Sequence, residues 1–325
     1  MKKKWKVKAP SRLHITLCDM GRATSYAFGG VGFSVQASET VVEVSARPDN
    51  QFTIEGAADP SALTDVRLAL ERLASQSSTP GFKVQIQNTP PTHSGFGSKT
   101  SLILSVLEAA SLAADLSISR HELVALSGRG GASGIGVNSY FVGGMVWDYG
   151  HPIQEVDELL PSSLRRPTDL PLRAQTTAFP ACWRILLALP SGNHVSGSDE
   201  ARFFRESTPV KRADALNVIA CVHHGVIPAV LSARLPDLQV ALKTIQGIGM
   251  KRLEVERQPG SAALLKELQV LGFACGMSSL GPLVYAVVHA ADQESKREFI
   301  HQCALKTAHY LGCFRAGEGR EVLSG

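Results

Sequence analysis

The 325-residue chain lacks the features that would place a protein in a membrane. No stretch approaches the roughly 18 to 20 apolar residues of a membrane-spanning helix, and the basic start is not followed by the apolar segment of a signal peptide. The six cysteines lie apart, without a Cys-x-x-Cys pair that would indicate zinc or redox chemistry. We therefore expect a soluble cytoplasmic protein that has reduced cysteines and no membrane partner.

Aromatic residues and net charge are also low. Aromatic residues make up 6% of the chain, which disfavours the stacking platforms that bind single-stranded nucleic acid. The formal net charge is +4, and the basic run at residues 2–4, continued by Lys6 and Lys8, is typical of a solvated strand edge. This balance suits small anionic molecules and does not favour nucleic acid as a partner.

The remaining composition is typical of a globular protein of mixed structure. Hydrophobic residues make up 44% of the chain and charged residues 19%, and the length allows one large or two medium domains. A polar, proline-rich stretch over residues 152–180 marks the predicted junction between a domain of residues 1–170 and a domain of residues 171–325.

Local patterns predict both strands and helices along the chain. Residues 4–18 and 140–147 have the pattern of strands, whereas residues 61–75 and 293–310 have apolar residues at helical spacing. Several hairpin-like strand pairs come early, so the mixture favours an α+β fold over a regular doubly wound sheet.

One glycine-rich loop leads into an apolar helix at residues 90–116. The loop contains His93, Gly95, Gly97, Ser98, Lys99 and Thr100. A glycine loop at a helix N-terminus presents unpaired N–H groups and a favourable dipole to an anion, so it predicts a phosphate or pyrophosphate cradle. The alternative is an ordinary turn in which Ser98 or Thr100 caps the helix. The loop is not a Walker A motif, because Ser98 stands where that motif has glycine before lysine.

Two further loops combine glycine with hydroxyl groups. Residues 128–136 contain Ser133, Gly134 and Gly136, and residues 276–282 contain Ser278 and Ser279. The alternative for each loop is a tight turn without a ligand.

The order of these loops resembles the GHMP small-molecule kinase superfamily and, within it, the β-ribofuranosylaminobenzene 5′-phosphate synthase family and related C-nucleoside-forming enzymes. The segments that carry the resemblance are residues 10–14, 29–32, 93–98, 128–130, 133–136, 143–144, 148–151, 196–204 and 278–287. The resemblance covers nearly the whole chain, and the number and order of the motifs make it specific.

This resemblance implies a fold and a reaction. The fold is a GHMP-kinase-like α+β fold, with an N-terminal domain like ribosomal protein S5 domain 2 and a ferredoxin-like C-terminal domain. The reaction joins 5-phosphoribosyl 1-diphosphate (PRPP) to an aromatic carboxylic acid such as 4-aminobenzoate, or to a pyrazole-type acid, and releases pyrophosphate and carbon dioxide. A homodimer is also implied.

Two departures from the kinase pattern agree with that reaction. Gly136 stands where a kinase that uses an aspartate base carries it, and Pro282 with the Ser278–Ser279 pair replaces a third glycine loop. Decarboxylative ribosylation removes no proton from the attacking carbon, so it requires cations, N–H groups and positioning more than a base.

The resemblance assigns roles that remain expectations. Arg12, Lys99, Arg22 and His14 are the expected catalytic residues, and the two arginines would pair a carboxylate or phosphate bidentately. The expected PRPP and phosphate contacts are His93, Gly95, Gly97, Ser98, Thr100, Ser133, Gly134, Gly136, Ser278 and Ser279. The expected substrate contacts are Asp148, His151, Ser196 and Arg202. Asp19, Asp199 and Glu200 are candidate ligands of a Mg²⁺ cofactor.

Three functions stay open at this stage, and the first is the PRPP-dependent transferase. For this function, Lys99 stands where the aminobenzoate enzymes are expected to have glycine, which leaves the acceptor undecided between an aminobenzoate and a heteroaromatic acid. An ATP-dependent small-molecule kinase is the second reading, and it would need a catalytic carboxylate elsewhere. A protein that binds PRPP or a nucleotide without turnover is the third.

Overall fold

The computed structural model describes residues 3–56, 58–76, 79–162, 164–165, 170–192 and 197–325. The strands in these ranges are β1 Lys4–Asp19, β2 Tyr26–Arg47, β3 Phe52–Gly56, β4 Gly81–Asn88, β5 Met145–Asp148, β6 His151–Pro152, β7 Arg173–Thr177, β8 Trp183–Leu189, β9 Ala274–Met277, β10 Val284–His289, β11 His309–Phe314 and β12 Glu321–Ser324.

The helices alternate irregularly with these strands. They are α1 Pro60–Gln76, α2 Ser98–Ala113, α3 Arg120–Ser127, α4 Ile135–Val142, α5 Gly197–Ser207, α6 Arg212–Cys221, α7 Ile227–Leu231, α8 Leu235–Gln246, α9 Gly249–Glu256, α10 Pro259–Val270 and α11 Gln293–Leu305. A π-helical turn, Val222–Val226, joins α6 to α7, and a 3₁₀ turn spans Ile153–Glu155.

The first sheet is built on the long antiparallel pair β1 and β2. Its main path is β12-β1-β2-β4-β3, and β5, β6 and β7 extend it from β2. Register shifts interrupt the β1–β2 pairing between Ala9 and Ser11 and between His14 and Thr16. Such irregularities bend a strand and re-aim its side chains, and here they bracket the segment of β1 that contains Arg12 and His14.

The second sheet has the strand order β11-β8-β10-β9, and its neighbours are antiparallel. Numbered within the second half of the chain, this order is 4-1-3-2, the order of a ferredoxin-like sheet, as predicted. Successive side chains of β8 point to opposite faces of the sheet and pack in two different cores. Ile185 and Leu187 pack with α6, α7 and α8, whereas Leu186 and Ala188 pack with α10 and α11.

One core continues from the first sheet into the second. The ring of Phe33 on β2 stacks on Phe179 at 4.7 Å and meets Tyr285 on β10 edge-on at 5.6 Å. The central helix α2 is buried along almost its whole length against β1 and β2. Its N-terminus, which begins at Ser98, is thereby held at one fixed point next to β1.

The structure corrects two predicted elements and adds others. Residues 140–142 belong to helix α4 rather than to a strand, because Gly143 and Gly144 end the helix and only the apolar residues after them pair with β2. The last helix ends at Leu305, and Tyr310 lies in β11. The short elements α9, β9 and β12 were not predicted. The boundary at residue 170 remains a prediction, although β7 and β12 both join the first sheet.

One continuous helical run is apolar enough to resemble a membrane span. Within residues 212–231, an 18-residue window has a mean hydropathy of 1.4, which meets the length and composition of a span. Six of its residues, Val218, Val222, Val226, Ile227, Ala229 and Val230, are buried in the core shared with the second sheet. Packing against that sheet accounts for the apolar character of these buried residues.

Candidate active site

Two connected chambers lie where α2 begins. The outer chamber, about 420 Å³, is lined by the glycine loop, α1, residues 127–129, Glu200 and residues 279–281. The inner chamber, about 110 Å³, lies between β1, residues 129–137, α5 and α9. Arg12, Thr100, Arg129, Glu200, Ser279 and Leu280 line both chambers. These shared residues make the chambers one site with a common junction.

The start of α2 is shaped by a glycine. Gly97 has a φ of +70°, and among the described residues no side chain caps the helix. A Cβ atom added to Gly97 would lie 2.7 Å from Nε of Arg12. Ser98 and Thr100 bond elsewhere: Ser98 Oγ donates to the carbonyl of Pro91, and Thr100 Oγ1 accepts from Nε of Arg129 at 3.1 Å. The capping alternative for this loop is therefore not what the structure shows.

Ser278 ties three segments of the site together. The backbone N–H of His14 donates to Ser278 Oγ at 3.0 Å, and that hydroxyl donates to the carbonyl of Gly95 at 2.7 Å. The N–H of Ser279 donates to the carbonyl of His14 at 3.0 Å. β1, the glycine loop and the third loop therefore hold one another in a fixed arrangement.

Two arginines concentrate positive charge at the junction. The pKa of Arg12 is lowered to about 10, mainly by burial and also by Arg129, while Glu200 opposes the shift. Burial also lowers the pKa of Arg129, while Glu200 and Asp65 act in the other direction. Nε and Nη1 of Arg12 are buried and have no hydrogen-bond partner among the described residues. Buried guanidinium groups are costly without an anion, so the junction is suited to receive one.

The neighbouring His14 and Lys99 are held in defined states. Burial, Arg12 and Lys251 all lower the pKa of His14, so its imidazole is neutral near neutral pH. Lys99 Nζ donates to Asp65 on α1 at 3.0 Å. Lys99 thus supplies a positive charge to the outer chamber that is already partly balanced.

The Asp148 side chain holds the second loop in place by hydrogen bonds. Its carboxylate accepts hydrogen bonds from Ser133 Oγ at 3.2 Å and from the N–H groups of Gly134 at 3.1 Å and Gly150 at 2.9 Å. Burial nevertheless raises the pKa of Asp148 to about 7, against the effect of these three donors. Its role in the structure is to position the loop at the start of α4.

A buried ion pair on α9 borders the inner chamber. Lys251 and Glu254, one turn apart on α9, are in contact and both are buried. Lys251 Nζ also donates to the carbonyl of Ser279 at 3.0 Å. Burial raises the pKa of Glu254, and Lys251 opposes this shift.

Most residues expected at the site lie around the two chambers. Those that line them are Arg12, His14, His93, Gly95, Gly97, Ser98, Lys99, Thr100, Ser133, Gly136, Glu200 and Ser279. Gly134, Asp148 and Ser278 act behind the lining through the hydrogen bonds above.

Other expected residues are not brought to the chambers. Asp19 accepts bonds from the N–H groups of Gly21, Ala23 and Thr24, so it stabilises a turn. Arg22 donates to the carbonyl of Val156.

A second group of expected residues lies away from the lining. Asp199 and Arg202 form an exposed ion pair at 2.8 Å on α5. His151 is buried with its ring 6.4 Å from that of Phe28. Ser196 lies outside the described residues.

The three candidate metal ligands do not form one group. Asp19 is used by its turn, and Asp199 and Glu200 are successive helical residues that point in different directions. Within the described ranges, no group of three or more His, Cys, Asp or Glu side chains is arranged to hold a metal ion. Glu200 is the candidate that lines both chambers.

Sequence reasoning missed Arg129 and Glu254 as site residues. Arg129 carried a signal, since it stands between Gly128 and Gly130 in the second loop. Glu254 carried none, because a lysine and a glutamate three residues apart have the spacing of an ordinary surface pair on a helix.

Comparison with known proteins defines the class first. Residues 64–145 match the family described as GHMP kinases N terminal domain. Homoserine kinase from Cytophaga hutchinsonii has the same fold, with a TM-score of 0.70, 16% identity and 99% of this chain and 98% of that chain covered. Phosphomevalonate kinase from Streptococcus pneumoniae follows with a TM-score of 0.68, 14% identity and coverage of 95% and 98%. The chain has the GHMP kinase fold, which confirms the predicted α+β class.

Curated relatives then define the family. The "Beta-ribofuranosylphenol 5'-phosphate synthase" of Archaeoglobus fulgidus is 33% identical over 282 residues, which cover 87% of each chain. The protein of the same name from Methanothermobacter thermautotrophicus is 32% identical over 289 residues, 86% of this chain and 88% of that protein. The chain belongs to the β-ribofuranosylphenol 5′-phosphate synthase family within the GHMP superfamily. This confirms the predicted family, although the relatives' names contain a phenol where the resemblance named an aminobenzene.

Proposed function

We propose that this protein is a transferase that joins C1 of PRPP to a ring carbon of an aromatic or heteroaromatic carboxylic acid. The C1–O bond breaks and pyrophosphate leaves with its electron pair, while the ring carbon that bears the carboxylate forms the new bond to C1. The bond between that carbon and the carboxylate then breaks, its electron pair restores the aromatic ring, and carbon dioxide leaves. The product is a C-riboside 5′-phosphate.

The observation that carries this proposal is the cationic junction. Arg12 and Arg129 are both largely buried, both line the two chambers, and Arg12 has orphaned donor atoms there. In the proposed reaction, charge develops on the departing pyrophosphate at the point where the two substrates meet. Donors fixed in advance at such a point stabilise the transition state without reorganisation.

Each chamber suits one of the two substrates. The larger outer chamber has the glycine loop, Lys99 and the start of α2, which suit the phosphates of PRPP. The smaller inner chamber has the apolar residues Leu17, Val137 and Phe204 beside its polar ones, which suits an aromatic ring. Gly136 presents no carboxylate there, in agreement with a reaction that removes no proton from the attacking carbon.

Magnesium is part of the proposal as an ion bound mainly by substrate. Mg²⁺ at phosphate sites commonly uses one or two protein carboxylates together with phosphate oxygens and water. Glu200 would be the protein ligand, because it reaches both chambers. When bound, the ion would neutralise charge on the pyrophosphate. A cytoplasmic homodimer is proposed on the family resemblance.

The first test is turnover with two sets of substrates in the presence of Mg²⁺. One set is PRPP with 4-hydroxybenzoate, 4-aminobenzoate and pyrazole carboxylic acids, followed for pyrophosphate and carbon dioxide, and the hydroxybenzoate is included because of the relatives' names. The other set is ATP with small alcohols, followed for ADP. We expect pyrophosphate and carbon dioxide in equal amounts, dependent on one acid. ADP formation without carbon dioxide would establish a kinase, and binding of PRPP without turnover would establish a binding protein.

Variants connect this activity to the junction. Arg12→Met and Arg129→Met should each lower kcat/KM for PRPP by about 100-fold or more, since each removes a buried charge-assisted contact with the phosphates. Arg67→Met is the matched control, because Arg67 is exposed on α1 and does not line either chamber. Equal activity of the three variants would refute the role given to the junction.

A further inference from the structure

The inner chamber is electrically asymmetric. Arg12 acts electrostatically with Arg129 and Glu200, whereas the charge that acts on Glu254 is Lys251. One region of the chamber is therefore cationic and belongs to β1 and the second loop. Another is formed by the carboxylate of α9, and the apolar Leu17, Val137 and Phe204 complete the lining.

The volume of the inner chamber limits what can enter it. A cavity of about 150 Å³ holds a benzene ring in another protein. The inner chamber, at about 110 Å³, is smaller than that cavity, so it is too small for a sugar phosphate, and an aromatic ring bound there would extend toward the residues shared with the outer chamber. A ring with an anionic group at one end and a hydrogen-bond donor at the other matches both the cationic and the acidic regions.

The chemistry of the acceptor also calls for an acidic group. In a benzoate acceptor, the ring carbon that bears the carboxylate is made nucleophilic by an electron-supplying substituent opposite to it. A hydroxyl group supplies more electron density when its proton is withdrawn, and a buried carboxylate is suited to accept that proton. Burial raises the pKa of Glu254 while Lys251 acts against the shift, so Glu254 is a better proton acceptor than an exposed glutamate.

Resting on the proposed function, we propose that Glu254 recognises and activates the donor group opposite the acceptor's carboxylate. As the ring carbon bonds to C1, the O–H bond of a 4-hydroxy acceptor breaks, its proton passes to a Glu254 oxygen and its electron pair forms the C=O of a dienone. Loss of carbon dioxide returns an electron pair to the ring, and Glu254 returns the proton to the phenoxide oxygen. Glu254 thereby selects acceptors with a donor at this position and is regenerated in each turnover.

The other ionisable groups of the chamber are less suited to this step. Arg12 and Arg129 have no acceptor atom. Burial, Arg12 and Lys251 lower the pKa of His14, so its imidazole is a weak proton acceptor. Glu200 lies at the junction with the arginines. Glu254, on α9, is the remaining carboxylate among the described residues of the lining.

The test compares two acceptors in Glu254→Gln. Turnover with 4-hydroxybenzoate should fall by about 100-fold, because the amide cannot take the proton. Turnover with 4-aminobenzoate should fall by about 10-fold or less, because an amino group supplies electrons without losing a proton and Gln still accepts a hydrogen bond. Glu256→Gln is the control, since Glu256 lies two residues further on the same helix, is exposed and pairs with Arg252.

Binding gives a second measurement that does not depend on turnover. With pyrophosphate present, calorimetry should show that the wild-type protein prefers 4-hydroxybenzoate to 4-methoxybenzoate by about 10-fold, and that Glu254→Gln loses most of this preference. If Glu254→Gln fails to fold, Glu254→Asp keeps the charge near Lys251, withdraws it from the ring and should show the same selective loss.

The outcomes separate this inference from the proposed function. Equal losses with both acceptors, or no preference of the wild-type protein for the hydroxyl compound, would overturn the role of Glu254 even if pyrophosphate and carbon dioxide are released from some other acid. Absence of any acid-dependent pyrophosphate release would instead refute the proposed function.

Discussion

At the scale of single residues, Gly97 determines whether the site can form. Its φ of +70° places the start of α2, and its missing side chain leaves room for the Arg12 guanidinium 2.7 Å from where a Cβ would lie. The same residue leaves the first N–H groups of α2 without a capping side chain. The absence of a side chain at Gly97 therefore lets both the N-terminus of α2 and the Arg12 guanidinium face the outer chamber.

We predict that Gly97→Ala weakens PRPP binding by about 10-fold or more and lowers the free energy of unfolding by about 1 to 2 kcal/mol. The first effect follows from displacement of Arg12, and the second from the cost of a left-handed conformation for a residue with a Cβ. Calorimetric titration and urea unfolding measure the two. Gly247→Ala is the control, because Gly247 has a φ of −102° and its nearest neighbour to an added Cβ is 3.7 Å away. Similar behaviour of the two variants would contradict the prediction.

At the scale of elements, Asp148 links strand β5 to the loop before α4. The carboxylate lies at the end of β5 and accepts from Ser133, Gly134 and Gly150, so it fixes the second loop against the first sheet. Because burial raises its pKa to about 7, the folded protein holds a proton there that the unfolded chain has lost. The loop is therefore most stable when Asp148 is protonated.

This arrangement predicts a pH dependence of stability with a definite sign. Asp148 contributes its full stabilisation below the pKa of an unfolded aspartate, about 4, and loses it as the pH rises through about 7. The difference in free energy of unfolding between the wild-type protein and Asp148→Asn should therefore decrease from pH 5 to pH 8. Urea unfolding of both proteins across this range measures it. A difference that stays constant or increases with pH would show that the three donors outweigh burial.

At the scale of the whole molecule, the two sheets form one structural unit. Phe33 joins the core of the second sheet, and the last strand, β12, returns to pair with β1. Near that strand, Arg320 donates to the buried Glu108 of α2 at 2.7 Å, and Tyr140 donates to the same carboxylate at 2.6 Å. Arg320, near the end of the chain, thus stabilises helix α2, which begins at the site.

We predict a single cooperative thermal transition for the whole chain. Residues 1–170 expressed alone should not fold, because they would lack β7, β12 and the partner of Glu108. Calorimetry, with comparison of calorimetric and van't Hoff enthalpies, measures the cooperativity. Arg320→Met should lower the transition temperature, since it leaves the buried Glu108 without its cation. Two separate transitions in the wild-type protein would show that the halves are independent.

Local chemistry was enough to identify much of this protein. The glycine loop and the strand containing Arg12 and His14 depend on near neighbours in the chain, and the structure contains both of them. The order of the loops was specific enough to indicate the family. In these cases the residues that determine the feature are close together in sequence, so their pattern is visible without a fold.

Tertiary structure alone decided which charges meet. Arg129 and Glu254 line the same chamber although they are far apart in the chain. Asp19 instead bonds to local backbone N–H groups, and Arg22 donates to the distant carbonyl of Val156. Tertiary packing also buries Glu108 of α2 and pairs it with Arg320, far away in the chain. Burial and long-range pairing depend on how the two sheets pack, and no local pattern in the chain encodes that packing.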